Sequence, residues 1–102
     1  NKMSNRIHEM IPILSPPEGS HLLFIVSDVQ RVHYSVGVPI FITSHYPTAL
    51  AVFQATEPEL AFAYDKDEPM MHLSQYTIDR TGWVTNVRIL HQKVGEGNRR
   101  LY

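Results

Sequence analysis

The chain predicts an all-β fold, an immunoglobulin-like antiparallel β-sandwich of about seven short strands, with a small β-barrel as the alternative. Three observations carry this. A strand-like run from His72 to Ile78 meets a second from Trp83 to Leu90 across Asp79-Arg80-Thr81-Gly82, where Asp starts a turn by bonding the backbone ahead and Gly accepts the positive φ that closes it. Short apolar or alternating segments recur between Pro, Gly and Asp signals along the rest of the chain, the spacing of an all-β domain. No helical window longer than about eight residues interrupts them.

In chain order, Asn1 to Leu14 reads as an edge strand, and Pro16-Pro17-Glu18-Gly19 as a turn that stops it. His21 to Ser27 is a strand whose apolar residues Leu22 to Val26 run without alternation, as expected of a strand covered on both faces or near a domain contact. Val32, Tyr34 and Val36 alternate with polar residues, the mark of a strand with one wet face. Gly37-Val38-Pro39 breaks that run, and Ile40 to Thr43 resumes an extended segment in which Pro39 is confined to a strand start or a sheet edge. Ala49 to Ala55, apolar or small on both faces, is the expected central strand. Leu60, Phe62 and Tyr64 alternate before a charged loop, Asp65 to Pro69. In the second arm of the hairpin, Trp83, Val87 and Ile89 should form one face, with Trp83 turned to the core, and Asn86 and Arg88 the other. Gly95 to Tyr102 reads as a polar exit segment.

Composition narrows the function classes. The 102 residues suit one domain (1–102) with one core. Hydrophobic content of 43%, charged content of 19% and a formal net charge of −1 exclude a disordered segment, a polycation for nucleic acid and a polyacid. The longest apolar runs are far shorter than the roughly 20 residues that span a bilayer. With no cysteine, disulfides, thiolate zinc sites and cysteine nucleophiles are impossible. No glycosylation triplet occurs, and the chain begins with Asn rather than Met. The expectation is therefore a domain excised from a longer protein.

The strongest charge asymmetry is the stretch from Glu57 to Glu68, where five carboxylates face only Lys66. Asp65, Asp67 and Glu68 are its calcium candidates, because a hard cation takes carboxylate oxygens at alternate loop positions, and the plainer reading is a solvated loop that keeps a sheet edge from pairing. Asp65-Lys66-Asp67 and Tyr76-Thr77-Ile78-Asp79-Arg80-Thr81-Gly82-Trp83-Val84 resemble fragments of cadherin repeats, with their Asp-x-Asp calcium element and Phe-x-Ile-x-x-x-x-Gly-x-Val hairpin. The resemblance implies an extracellular adhesion module. It covers under a quarter of the chain and lacks the Asp-Arg-Glu element and the acidic linker, so no calcium ligands are carried across.

Six histidines would move the formal charge from −1 to +5 on full protonation, enough to alter an interface, and His33 could approach His45 across the connection between them. No pair has the close spacing of a zinc motif. From Arg80 onward the chain is basic, and Arg99 and Arg100 are the interaction candidates, suited to an acidic face of a neighbouring domain. Nucleic acid would want exposed aromatics interleaved with them. No nucleophile elbow, phosphate-binding glycine loop or His-Glu-x-x-His pattern occurs.

The expected function is thus non-enzymatic: a spacer or protein–protein interaction domain in a larger extracellular or cell-surface protein, without cofactor or membrane insertion. The alternatives are a structural domain of a viral or other multi-copy assembly and an accessory ligand-binding domain of an enzyme.

Overall fold

The structure, a computed structural model, describes residues 10–28, 37–57 and 69–95. Its elements are β1 (His21–Asp28), β2 (Val38–Thr43), α1 (Tyr46–Ala55), β3 (Pro69–Ile78) and β4 (Val84–Val94). The four strands form one sheet in the order β2-β1-β3-β4, antiparallel at every pairing. The chain is therefore mostly antiparallel β, as expected. The described strands make a single sheet rather than the two layers of a sandwich, and a helix supplies the second layer. The expected strands at Val32–Val36 and Leu60–Tyr64, and the exit segment beyond Gly95, lie outside the described residues.

The hairpin forms between β3 and β4 as its turn residues require. Asp79 Oδ1 accepts from the Thr81 amide (2.9 Å), the Thr81 hydroxyl (2.7 Å) and the Trp83 amide (3.0 Å). Gly82 closes the loop at φ +101°, a conformation that side chains disfavour. The Pro-Gly turn holds too: the Ser20 amide donates to Pro17 O at 2.9 Å, with Gly19 at φ +81°, as a type II turn demands. Pro39 sits near the start of the edge strand β2, the kind of position to which proline is confined in a sheet.

The segment from Ala49 to Ala55 is helix, not a central strand. Tyr46, Ala49, Leu50 and Phe53 recur at one-turn spacing and turn to the core, with Ala49 and Phe53 fully packed there. Pro47 occupies the first turn, where its fixed φ suits a helix start. A five-residue apolar run is compatible with either periodicity, and the deciding positions, Tyr46 and Pro47, lie outside it. The helix also solves the topology. β2 and β3 are each antiparallel to β1 and so run parallel to each other, which requires a long crossover that a helix fills. The central position belongs to β1 and β3.

Direct cross-strand partners share a face, so the pairings sort the sheet. Phe24, Val26, Phe41, Met71 and Leu73 point to the helix and form the core with Ala49, Phe53 and Leu90. A register shift between Leu73 and Ser74 leaves Leu90 as an extra residue in β4, and a bulge of this kind re-aims the side chains around it. Leu90 is buried in the core while its neighbour His91 pairs with Leu73 on the same helix-facing side. The residues from Met10 to Leu14 do not form the expected edge strand. They are held instead by the Met10 amide on Leu90 O (2.8 Å) and by the buried Gln75, whose Oε1 accepts from the Ile13 amide (3.0 Å) and whose Nε2 donates to Ile13 O.

Candidate functional site

Two features stand out: a polar cluster between α1 and β4, and the sheet face turned away from the helix. In the cluster, Tyr46 on the first turn of α1 has its phenol oxygen 2.8 Å from His91 Nε2. The two rings stack with centroids 6.2 Å apart, and Phe24 and Phe53 flank them. Lys93, two residues further along β4, lies 5.0 Å over the Phe53 ring and donates to Thr56 O at 2.8 Å, one of the carbonyls that a helix end leaves unpaired. Thr56 itself caps Val52 O through both its hydroxyl (2.7 Å) and its amide (3.0 Å). Burial raises the Tyr46 phenol above its ordinary pKa. Burial also lowers the Lys93 ammonium, against the opposing pull of Glu57.

A raised pKa keeps the Tyr46 phenol protonated, and Lys93 donates to a helix carbonyl. The cluster clamps both ends of α1 to β4. Its groups were not singled out from the sequence, because Tyr46 and His91 are 45 residues apart and the bulge that aims His91 is invisible in the pattern.

The opposite face carries an apolar middle, Leu23 and Ile25 of β1, Ile42 of β2, Tyr76 of β3, and Val87 and Ile89 of β4, joined by the pairings Leu23–Tyr76–Val87 and Ile42–Ile25–Ser74–Ile89, with the polar row Ser27–His72–Gln92 on one side of it and His21, paired with Ile78, on the other. Ile42 is 54% and Val87 48% exposed. The charged residues of the described strands, Asp28, Arg88 and Lys93, pair into the helix-facing side instead. The unbroken Leu22–Val26 run signalled this second apolar face. Trp83 corrects an expectation: it is 75% exposed rather than in the core. Trp83 precedes β4 in the hairpin loop, with its amide donating to Asp79 Oδ1, and the face it was expected to share with Val87 and Ile89 is the one turned away from the helix.

The calcium candidates Asp65, Asp67 and Glu68 and the interaction candidates Arg99 and Arg100 all lie outside the described residues, as does His33. His45 bonds to its helix neighbour Thr48 at 2.8 Å. Among the described residues no three His, Asp or Glu side chains gather to hold a metal ion, and no helix is long and apolar enough to cross a membrane. Comparison with protein-family models, with curated proteins and with solved structures finds no match.

Proposed function

We propose that the chain is a non-enzymatic protein-interaction module and that its contact surface is the sheet face opposite α1. One observation carries the reading: Leu23, Ile25, Ile42, Tyr76, Val87 and Ile89 form a contiguous apolar patch in the middle of that face, rimmed by Ser27, His72 and Gln92, and its edge members Ile42 and Val87 are about half exposed. Exposed apolar area that is contiguous, rather than scattered, marks an interaction site. The polar groups of the Tyr46–His91–Lys93 cluster are meanwhile engaged in holding the helix, which supports a scaffold rather than a reaction centre.

The test is binding of the apolar dye ANS to the native chain. Native protein should enhance the dye's emission, and Ile42→Glu and Val87→Glu should each reduce that enhancement severalfold while leaving the circular dichroism spectrum unchanged. Absence of any enhancement by the native chain would remove the observation on which the reading stands.

A further inference from the structure

We propose that the strap formed by residues 10–17 is a ligand for an aromatic-lined groove of the kind that reads proline-rich segments. It lies on residues outside the sheet face described above and goes beyond that reading.

The strap is held in place without being packed away. It belongs to no strand or helix, yet its backbone is pinned twice. The Met10 amide donates to Leu90 O at 2.8 Å. Gln75, on the helix side of the sheet opposite Phe24, is buried and engages both the amide and the carbonyl of Ile13 through its side chain. Ile11 is nevertheless 84% and Leu14 73% exposed, against 42% for Met10 and 40% for Ile13. The most exposed pair is three residues apart, and Pro17 follows at the same interval. Three residues make one turn of a polyproline II helix, so this spacing is that of one edge of such a helix.

The sequence also restricts the strap before any partner arrives. Pro12, Pro16 and Pro17 fix their own φ. Each also disfavours the α region in the residue ahead of it, which applies to Ile11, Ser15 and Pro16. A segment already held extended loses less freedom on binding.

The groups left to be recognised select the partner. Strand addition to a sheet edge draws on backbone hydrogen bonds along the peptide. Here the three prolines have no N–H, and the Met10 and Ile13 amides are already donated. A helical ligand is excluded by the prolines. No charged residue stands between Met10 and Pro17, so ion pairs do not identify the strap either. What it offers is apolar side chains and proline rings on an extended backbone, the chemistry that aromatic-lined grooves take.

The test is an NMR titration of the isotope-labelled full chain with purified SH3, WW and EVH1 domains, each to about 1 mM, since small contacts are weak and transient. At least one domain class should shift the Ile11, Leu14 and Ser15 amide signals saturably. Leu14→Asp, and Pro16→Ala combined with Pro17→Ala, alter exposed positions. Each should raise the dissociation constant at least tenfold while leaving the circular dichroism spectrum unchanged. Ile42→Glu, on the other face of the sheet, should leave binding as it is. No saturable shift with any of the three domain classes, or binding indifferent to both strap variants, would overturn the proposal. Binding lost in Ile42→Glu but kept in Leu14→Asp would also overturn it, and would leave the sheet-face reading standing.

Discussion

The Tyr46 phenol oxygen sits 2.8 Å from His91 Nε2, and this contact spans 45 residues to fasten the first turn of α1 to strand β4. It works because a bulge in β4 places His91 on the helix side next to the buried Leu90. Tyr46→Phe keeps the ring against Phe24, 5.4 Å away, and removes only the hydroxyl. It should cost about 1 kcal/mol in urea unfolding. His91→Ala combined with Tyr46→Phe should cost less than the two single changes added together, because both delete the same bond.

The same phenol makes a prediction at alkaline pH. Its pKa is raised in the folded state, so the folded chain holds this proton more tightly than the unfolded one. Its contribution is complete below the unfolded value near 10 and is lost as pH rises through the folded value. Thermal melts from pH 9 to 11 should show the Tyr46→Phe variant losing less stability over that interval than the parent.

Asp79 gives the opposite sign at low pH. The Thr81 hydroxyl, ahead of the Trp83 amide, holds its carboxylate below the usual range. A depressed folded value means a contribution present above the unfolded pKa of about 4 and lost as pH falls through the folded one. Melting temperatures from pH 5 to pH 2 should fall more steeply for the parent than for Asp79→Asn. At pH 7, Asp79→Ala should lower the midpoint more than Asp79→Asn, whose amide oxygen still accepts from the turn.

Gly82 tests the same turn through its backbone. At φ +101°, with nothing within 4 Å of a Cβ built there, any penalty for Gly82→Ala is conformational rather than steric crowding by neighbours. The expected loss is about 1–2 kcal/mol in denaturant unfolding. A smaller loss would show that the hairpin tip relaxes freely.

Gln75 is nearly fully buried and holds Ile13 by both its amide oxygen and its amide nitrogen. Gln75→Ala leaves the Ile13 amide without its acceptor, a loss of about 1–3 kcal/mol when the group stays buried. Hydrogen exchange should read it directly: the Ile13 amide, protected in the parent, should exchange at least tenfold faster in the variant, while amides at the centre of β3 change little.

The hairpin and the Pro-Gly turn were legible because they are local: Asp79 bonds within four residues and Gly82 and Gly19 set their own φ. The strands β1 and β2 and the antiparallel β character followed from apolar and β-branched runs between such turns. So did the apolarity of both faces of β1. The chain's composition by itself ruled out disulfides, thiolate metal sites and a bilayer-spanning apolar run.

What the tertiary structure decided is everything that depends on which strands meet and in what register. Ala49 to Phe53 is a helix because Tyr46, Ala49, Leu50 and Phe53 find a core when wound at 3.6 residues per turn above β1 and β3, whereas the run alone satisfies two periods. His91 faces the helix because it lies beside a one-residue bulge, which reverses the face of the side chains beyond it, and Trp83 is exposed because it stands in the hairpin loop ahead of β4. Alternation is a rule about neighbours along the chain. Bulges and crossovers are set by contacts between residues far apart in sequence, so only the assembled sheet determines where they fall.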